Sequence, residues 1–329
     1  MNVWKPAATL LVIASFALAL VAPLWTYALS LAAFGMPHVL SELRYVDHRF
    51  QQRFPLRRGI ALLLMLAAVA GTRALGVGEW LSPRATTITE LGLLALAATL
   101  FLPELLRAGR LQGAVGLAVI ALLLVGCGWA PFTTMVLLAF LHNLTPVGLL
   151  AERFRGKLRR RALWLCGLTF GVIPFILASG LLQPLLLDRG WLSGDAWSAL
   201  GPVESHFGSF VPDPLLQHEL ALPLFTAAVF LQCMHYAAVL HVLPRSWGRE
   251  DVYQPTTTGL VRWPQQRLFM VLLVAIGALF FAGFRVAFVD TRLIYSIFAI
   301  VHAWVEVPVL LAALSGGALK LRATPAGAA

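Results

Sequence analysis

The sequence predicts an all-α protein: a polytopic transmembrane helix bundle of about nine spans, with the N-terminus outside and the C-terminus inside. Three observations predict it. Of its 329 residues 59% are hydrophobic and 12% charged, whereas a soluble domain carries roughly 25% charged residues. The apolar residues fall in blocks of about 20 or more, the helix length that crosses roughly 30 Å of hydrocarbon. The basic residues gather in alternate gaps between the blocks, as the positive-inside bias of cytoplasmic loops requires. None of the blocks alternates apolar with polar residues as the strands of a membrane barrel would.

The first span, about 9–34, follows Lys5 and holds an Ala17-Leu18-Ala19 stretch that imitates a signal cleavage site. Its apolar run continues to Phe34, however, which fits a retained first helix. The second span, about 58–75, starts from Arg57 and Arg58, and the third, about 88–106, stops at Arg107 and Arg110. The fourth and fifth cover about 111–130 and 132–151, and the sixth, about 161–187, follows a basic run. The seventh, eighth and ninth cover about 215–243, 267–287 and 292–318. Together they make a single integral membrane domain over residues 1–329, without repeat or linker.

Basic inner loops are expected at about 44–58, 152–161 and 244–267, and Lys320 and Arg322 mark an inner tail. The outer loop, about 188–214, holds Asp188, Asp195, Glu204 and Asp213 against Arg189, with Trp191 and Trp197 suited to the interface. The net charge of +10 is spread over short loops beside helix ends, which points to anionic membrane lipids and excludes nucleic acid as the partner. The expected location is a bacterial inner membrane. Cys127, Cys166 and Cys233 fall within spans without a CxxC pair, so neither a disulfide framework nor a zinc site is expected.

Ionisable side chains in hydrocarbon cost roughly a few kcal/mol each, so those that persist usually face a protein interior and act there. Here they are mostly histidines. His142 falls near the middle of the fifth span, His235 in the inner half of the seventh, His302 near the middle of the ninth and His38 at the inner end of the first. His48, His206 and His218 are expected to be unremarkable. His38 is followed four residues on by Glu42, and His302 by Glu306. Residues four apart share a helix face, so each pair can offer an imidazole and a carboxylate to one centre. The carboxylate can ligate a metal or fix the ring tautomer; the alternative is a hydrogen-bonded pair that merely satisfies both groups.

Pro146, four residues after His142, should press on the carbonyl of residue 142 and kink the helix, with Asn143 and Thr145 adding polar groups there. Pro308 stands in the same relation to Trp304. His241 is six residues past His235, about 120° round a straight helix, so one of the two is expected to face a shared centre, His235 being the deeper. Imidazoles and carboxylates without thiolates favour a first-row metal such as iron, and the spacing is not that of a tetrahedral zinc motif. An iron with open positions would meet dioxygen and an apolar, lipid-like substrate.

Four segments resemble the bacterial Brp/Blh family of membrane-embedded β-carotene 15,15'-dioxygenases. They are Pro37-His38 with Glu42, the run Leu137 to Leu141 leading into His142-Asn143, Cys233-Met234-His235 with His241, and His302 followed by Glu306. The resemblance covers short motifs in about four of the nine spans. Val39 stands in place of the family's glycine, Asn143-Leu144 in place of its Phe-Gly, and Val239 where its second histidine of the pair falls. It implies an Fe(II) centre held by His38, His142, His235 and His302, with His241 as a further candidate ligand. Glu42, Glu306 and Asn143 would then act beside the metal, in oxidative attack on a carotenoid, retinoid or similar lipid. The expectation from a different class is a transporter or proton-coupled carrier that uses the same histidines and glutamates as a relay. A lipid-binding scaffold without chemistry is the third.

Overall fold

The computed structural model describes residues 6–50, 56–184, 200–246, 261 and 263–315. Among these residues the chain is helical and contains no strand. Six helices are long and apolar enough to cross a membrane, or eight if each of two bent pairs is one span. The protein is a multi-pass helical membrane protein on that ground.

In chain order the helices are α1 (Pro6–Val21), α2 (Pro23–Phe50), α3 (Leu56–Val77), α4 (Pro83–Thr99), α5 (Leu102–Ala108), α6 (Arg110–Trp129) and α7 (Pro131–His142). Then come α8 (Thr145–Arg153), α9 (Gly156–Gly167), α10 (Ile173–Ala178), α11 (Ala221–Ala237), α12 (Leu243–Ser246), α13 (Gln266–Val286) and α14 (Phe288–Leu314). Five-residue π-helical segments, Leu168–Val172 and Ala238–Val242, join α9 to α10 and α11 to α12.

Each apolar block coincides with one or more helices, but several boundaries differ from expectation. The sixth span, expected at about 161–187, runs Gly156–Ala178 and gives way to a turn in which Gly180 takes φ +72°. The first span is interrupted at Ala22, because Pro23 lacks an N–H and its ring crowds the preceding turn. Bonds from Ala22 N to Leu18 O and from Thr26 N to Ala22 O, each 2.9 Å, carry the ladder past it. At its other end α2 runs to Phe50, so the first basic loop begins as helix. The third and fifth expected spans are the bent pairs α4–α5 (42°) and α7–α8 (41°). Residues 188–199 of the outer loop, 51–55, 247–260 and 262 of the basic loops, Lys5, Lys320 and Arg322 lie outside the described residues.

The contacts divide the chain into two compact units. Residues 1–43, 132–255 and 263–299 form the first: α1, α2 as far as Leu43, α7 to α13, and α14 as far as Ala299. Its innermost helix is α11. Over its most apolar stretch 78% is buried, against 17% for α13. The reason is in the side chains: Phe225, Ala227, Val229 and Phe230 are all fully buried, packed with Tyr27, Leu31 and Phe288. Close approach of α13 to α2 depends on Gly277, where a Cβ would meet the Pro37 ring at 3.0 Å.

The second unit holds residues 44–131, 256–262 and 300–329. Here α4 packs against α3 and α6, and α5 against α6. A Cβ at Gly76 of α3 would sit 2.6 Å from Thr86 Oγ1 of α4, so the small residue permits the contact. Glu90, fully buried on α4, accepts from Arg73 Nη2 of α3 at 2.6 Å, and Arg58 pairs with Glu104. Outward residues of α6 such as Leu122 and Val125 are 70% and 57% exposed, as a lipid-facing surface requires.

Candidate metal centre

Three of the expected ligands meet in the first unit. His38 is carried by α2, one residue after Pro37; His142 ends α7; His235 sits two residues before the end of α11. Each offers one nitrogen, and these atoms lie within 4.8 Å of one another. The His38 and His235 ring centroids are 5.3 Å apart at 89°, and those of His142 and His235 are 4.5 Å apart at 49°. Two rings that each place a nitrogen about 2.1 Å from one ion hold their centroids roughly 4.5–6 Å apart for ligand angles near 90–140°. Both separations fall within that range.

The backbone around each histidine is arranged by identifiable residues. His38 Nδ1 lies 3.2 Å from the carbonyl of Phe34. A carbonyl only accepts, so Nδ1 carries the proton and Nε2 keeps the lone pair that a metal needs. His142 lies at the break that Pro146 imposes. The chain leaves the α-helix through bonds from Asn143 N to Phe140 O and from Leu144 N to Leu141 O, and the His142 carbonyl accepts from Thr145 Oγ1 at 2.8 Å. The sharp turn thus ends α7 with a histidine and loses no bond at that carbonyl.

His235 is fully buried, and its Nδ1 has no hydrogen-bond partner among the described residues. Its Nε2 is 3.2 Å from Glu42 Oε2, itself fully buried one turn beyond His38 on α2. The two atoms are close but not aligned as a hydrogen bond. A buried imidazole with an unpartnered nitrogen costs about 1–3 kcal/mol. A divalent cation on that ring would offset the cost, and the Glu42 carboxylate 3.2 Å from its other nitrogen favours a cation there. The residues present therefore fit a metal.

Asn143, 4% exposed, donates through Nδ2 to the Ala139 carbonyl at 3.2 Å, holding the last turn of α7. His241 is exposed at the π segment after α11 and lies outside the histidine group. His302 and Glu306 belong to the second unit and are buried on α14, each 2% exposed and one turn apart. The helix runs through Pro308 without a break.

Two features escaped the sequence reading. Tyr236, next to His235, lays its ring against His38, centroids 4.2 Å apart and 33° from parallel; a tyrosine in an apolar helix reads as core, and only its adjacency to His235 could have flagged it. His206, expected to be unremarkable, is 1% exposed in the short 3-10 helix Val203–Ser209. Its Nε2 donates to the Leu200 carbonyl at 2.7 Å, and its Nδ1 accepts from Arg292 Nη1 at 3.2 Å. The same guanidinium donates to Ser209 at 3.3 Å. Burial pushes the His206 pKa down, against the Leu200 bond, and Arg292 lowers it further.

No protein-family model, curated protein or solved structure matches the chain.

Proposed function

We propose that this chain is a membrane-embedded, histidine-ligated nonheme iron oxygenase acting on a carotenoid, retinoid or similar lipid, a distant relative of the Brp/Blh dioxygenases. The observation that carries the proposal is the convergence of His38, His142 and His235 inside a membrane protein, with the His38 tautomer set for ligation. His302 is proposed as the fourth donor of the group.

Bound Fe(II) would supply dioxygen activation beside an apolar polyene. The chain's own residues bind, orient and exclude water. His38 and His235 fix the coordination directions, and Glu42 stands as the carboxylate that holds the His235 ring or shares in ligation. Glu306, one turn from His302, has the same proposed part. The apolar wall of α2 and α11 keeps the site dry. Nine spans, an outside N-terminus and residence in a bacterial inner membrane complete the proposal.

Metal analysis of purified protein is the test. About one iron per chain, lost in His142→Ala and His235→Ala, together with aldehyde products from a supplied carotenoid, is the expected result. One observation favours a second reading: the fully buried Glu42–His235 pair is also a place to hold a proton. A metal-free protein that sustains proton-dependent flux in vesicles would replace the oxygenase with a carrier.

A further inference from the structure

Tyr236 and Tyr295 stand on two different helices of the first unit and close around His38. The Tyr236 ring covers one face of the His38 imidazole, at 4.2 Å between centroids. Its hydroxyl is hydrogen-bonded to that of Tyr295. Tyr295, 7% exposed on α14, is packed by Phe280 and Phe284 of α13. Its ring edge lies where a Cβ on Gly35 would come within 3.2 Å, and Gly35 is three residues before His38 on α2. The contacts therefore run in a closed circuit, from His38 to Tyr236, to Tyr295, and back to α2 one turn from His38.

An imidazole has two torsions to fix before its lone pair points at one place. The Nδ1 bond to Phe34 restrains the ring along one edge. A flat neighbour at stacking distance restrains its plane. Tyr236 is suited to this because its own ring is held at the far end by Tyr295. Its backbone is joined to His235, so the same element that sets one imidazole sets the orientation of another. Consecutive helical residues point about 100° apart, so His235 can face the centre while Tyr236 flanks His38.

We infer that Tyr236 is a positioning residue which, clamped by Tyr295, fixes the ring plane of His38 for metal binding. The inference rests on the metal reading above. The probe is Co(II) added to the purified, metal-stripped full chain, with the visible d–d bands and the Kd as readouts.

In Tyr236→Leu the stacking face is gone, and a Kd weakened about 10-fold or more, with altered d–d bands, is expected from the usual cost of losing a residue that orients a ligand. Tyr236→Phe keeps the face but loses the hydroxyl that Tyr295 holds, so the Kd should stay within about 3-fold of wild type, less than that usual cost, while the bands broaden. Tyr295→Phe releases the clamp without emptying space and should broaden the bands even if Tyr236→Leu does not fold. Bands and Kd identical to wild type in a folded Tyr236→Leu, or unchanged bands in Tyr295→Phe where the leucine variant does not fold, would overturn the positioning role while leaving the metal centre in place. Absence of Co(II) binding by the wild-type chain would overturn the centre and this role with it.

Discussion

A single buried histidine outside the proposed centre gives the protein a measurable response to acid. His206 uses both ring nitrogens as a neutral imidazole, donating to Leu200 and accepting from Arg292. Tyr27 and Phe288 pack on its ring, and among the described residues the Arg292 guanidinium is the charged group hydrogen-bonded to it. Its folded pKa lies below the ordinary 6.5, so between those two values the unfolded chain binds more protons than the folded one. The stabilisation is complete above about pH 6.5 and is lost as pH falls through the lower folded value. The thermal midpoint should therefore drop on acidification below pH 6.5, with amide protection factors of residues 203–211 falling first, and His206→Gln should flatten both trends. Protection factors independent of pH in the wild type would contradict this.

The individual histidines were legible in the sequence because membrane depth makes each one costly, and Pro146 announced the bend at His142. Tyr236 was not, since an aromatic side chain in an apolar helix is ordinary filling and carries no cost that demands explanation. His206 was hidden for the opposite reason: it sits in a connecting segment, where polar residues are expected and nothing in the periodicity says that the segment folds back under Arg292.

At the scale of elements, the site depends on how closely the helices of the first unit approach. Gly277 of α13 leaves 3.0 Å between a would-be Cβ and the Pro37 ring, directly before His38. A larger side chain must push α13 from α2 or displace the proline. Gly277→Leu is expected to cost about 1–3 kcal/mol of stability, as overpacking does, and to weaken metal binding with it. Thermal unfolding in detergent and Co(II) titration read the two effects; a neutral substitution would show that the helices are free to separate. The apolar blocks made the presence of these helices plain, yet not their ends. A long run to Phe34 concealed the interruption at Pro23, because hydropathy records what a residue prefers to touch and not whether it can donate a hydrogen bond. The charges after residue 43 suggested a loop, whereas α2 continues to Phe50; arginines at the end of a helix reach water without leaving the helix.

For the whole molecule, the class was legible from composition alone, and the number of crossings was not. Six helices qualify outright and bent pairs raise the number to eight, so counting rests on whether a bent pair crosses once. Orientation is open to direct measurement. With nine crossings and basic inner loops, a cysteine placed at Gly156, beside Arg155 and Lys157, should be shielded from an impermeant thiol reagent in intact cells, and one placed at Gly208 should react. The reverse pattern would invert the topology.

The helix that carries His235 is also the least apolar of the six qualifying segments, with mean hydropathy 1.5 where the others reach 1.8–2.3. Insertion machinery tests each emerging segment against lipid before its neighbours have arrived, and a segment designed to be surrounded by protein fares worst in that test. Partition of α11 into the bilayer therefore gains most from helices already synthesised. On the metal reading proposed above, biogenesis and ligand supply are coupled: a nascent chain that fails to retain this one segment lacks His235.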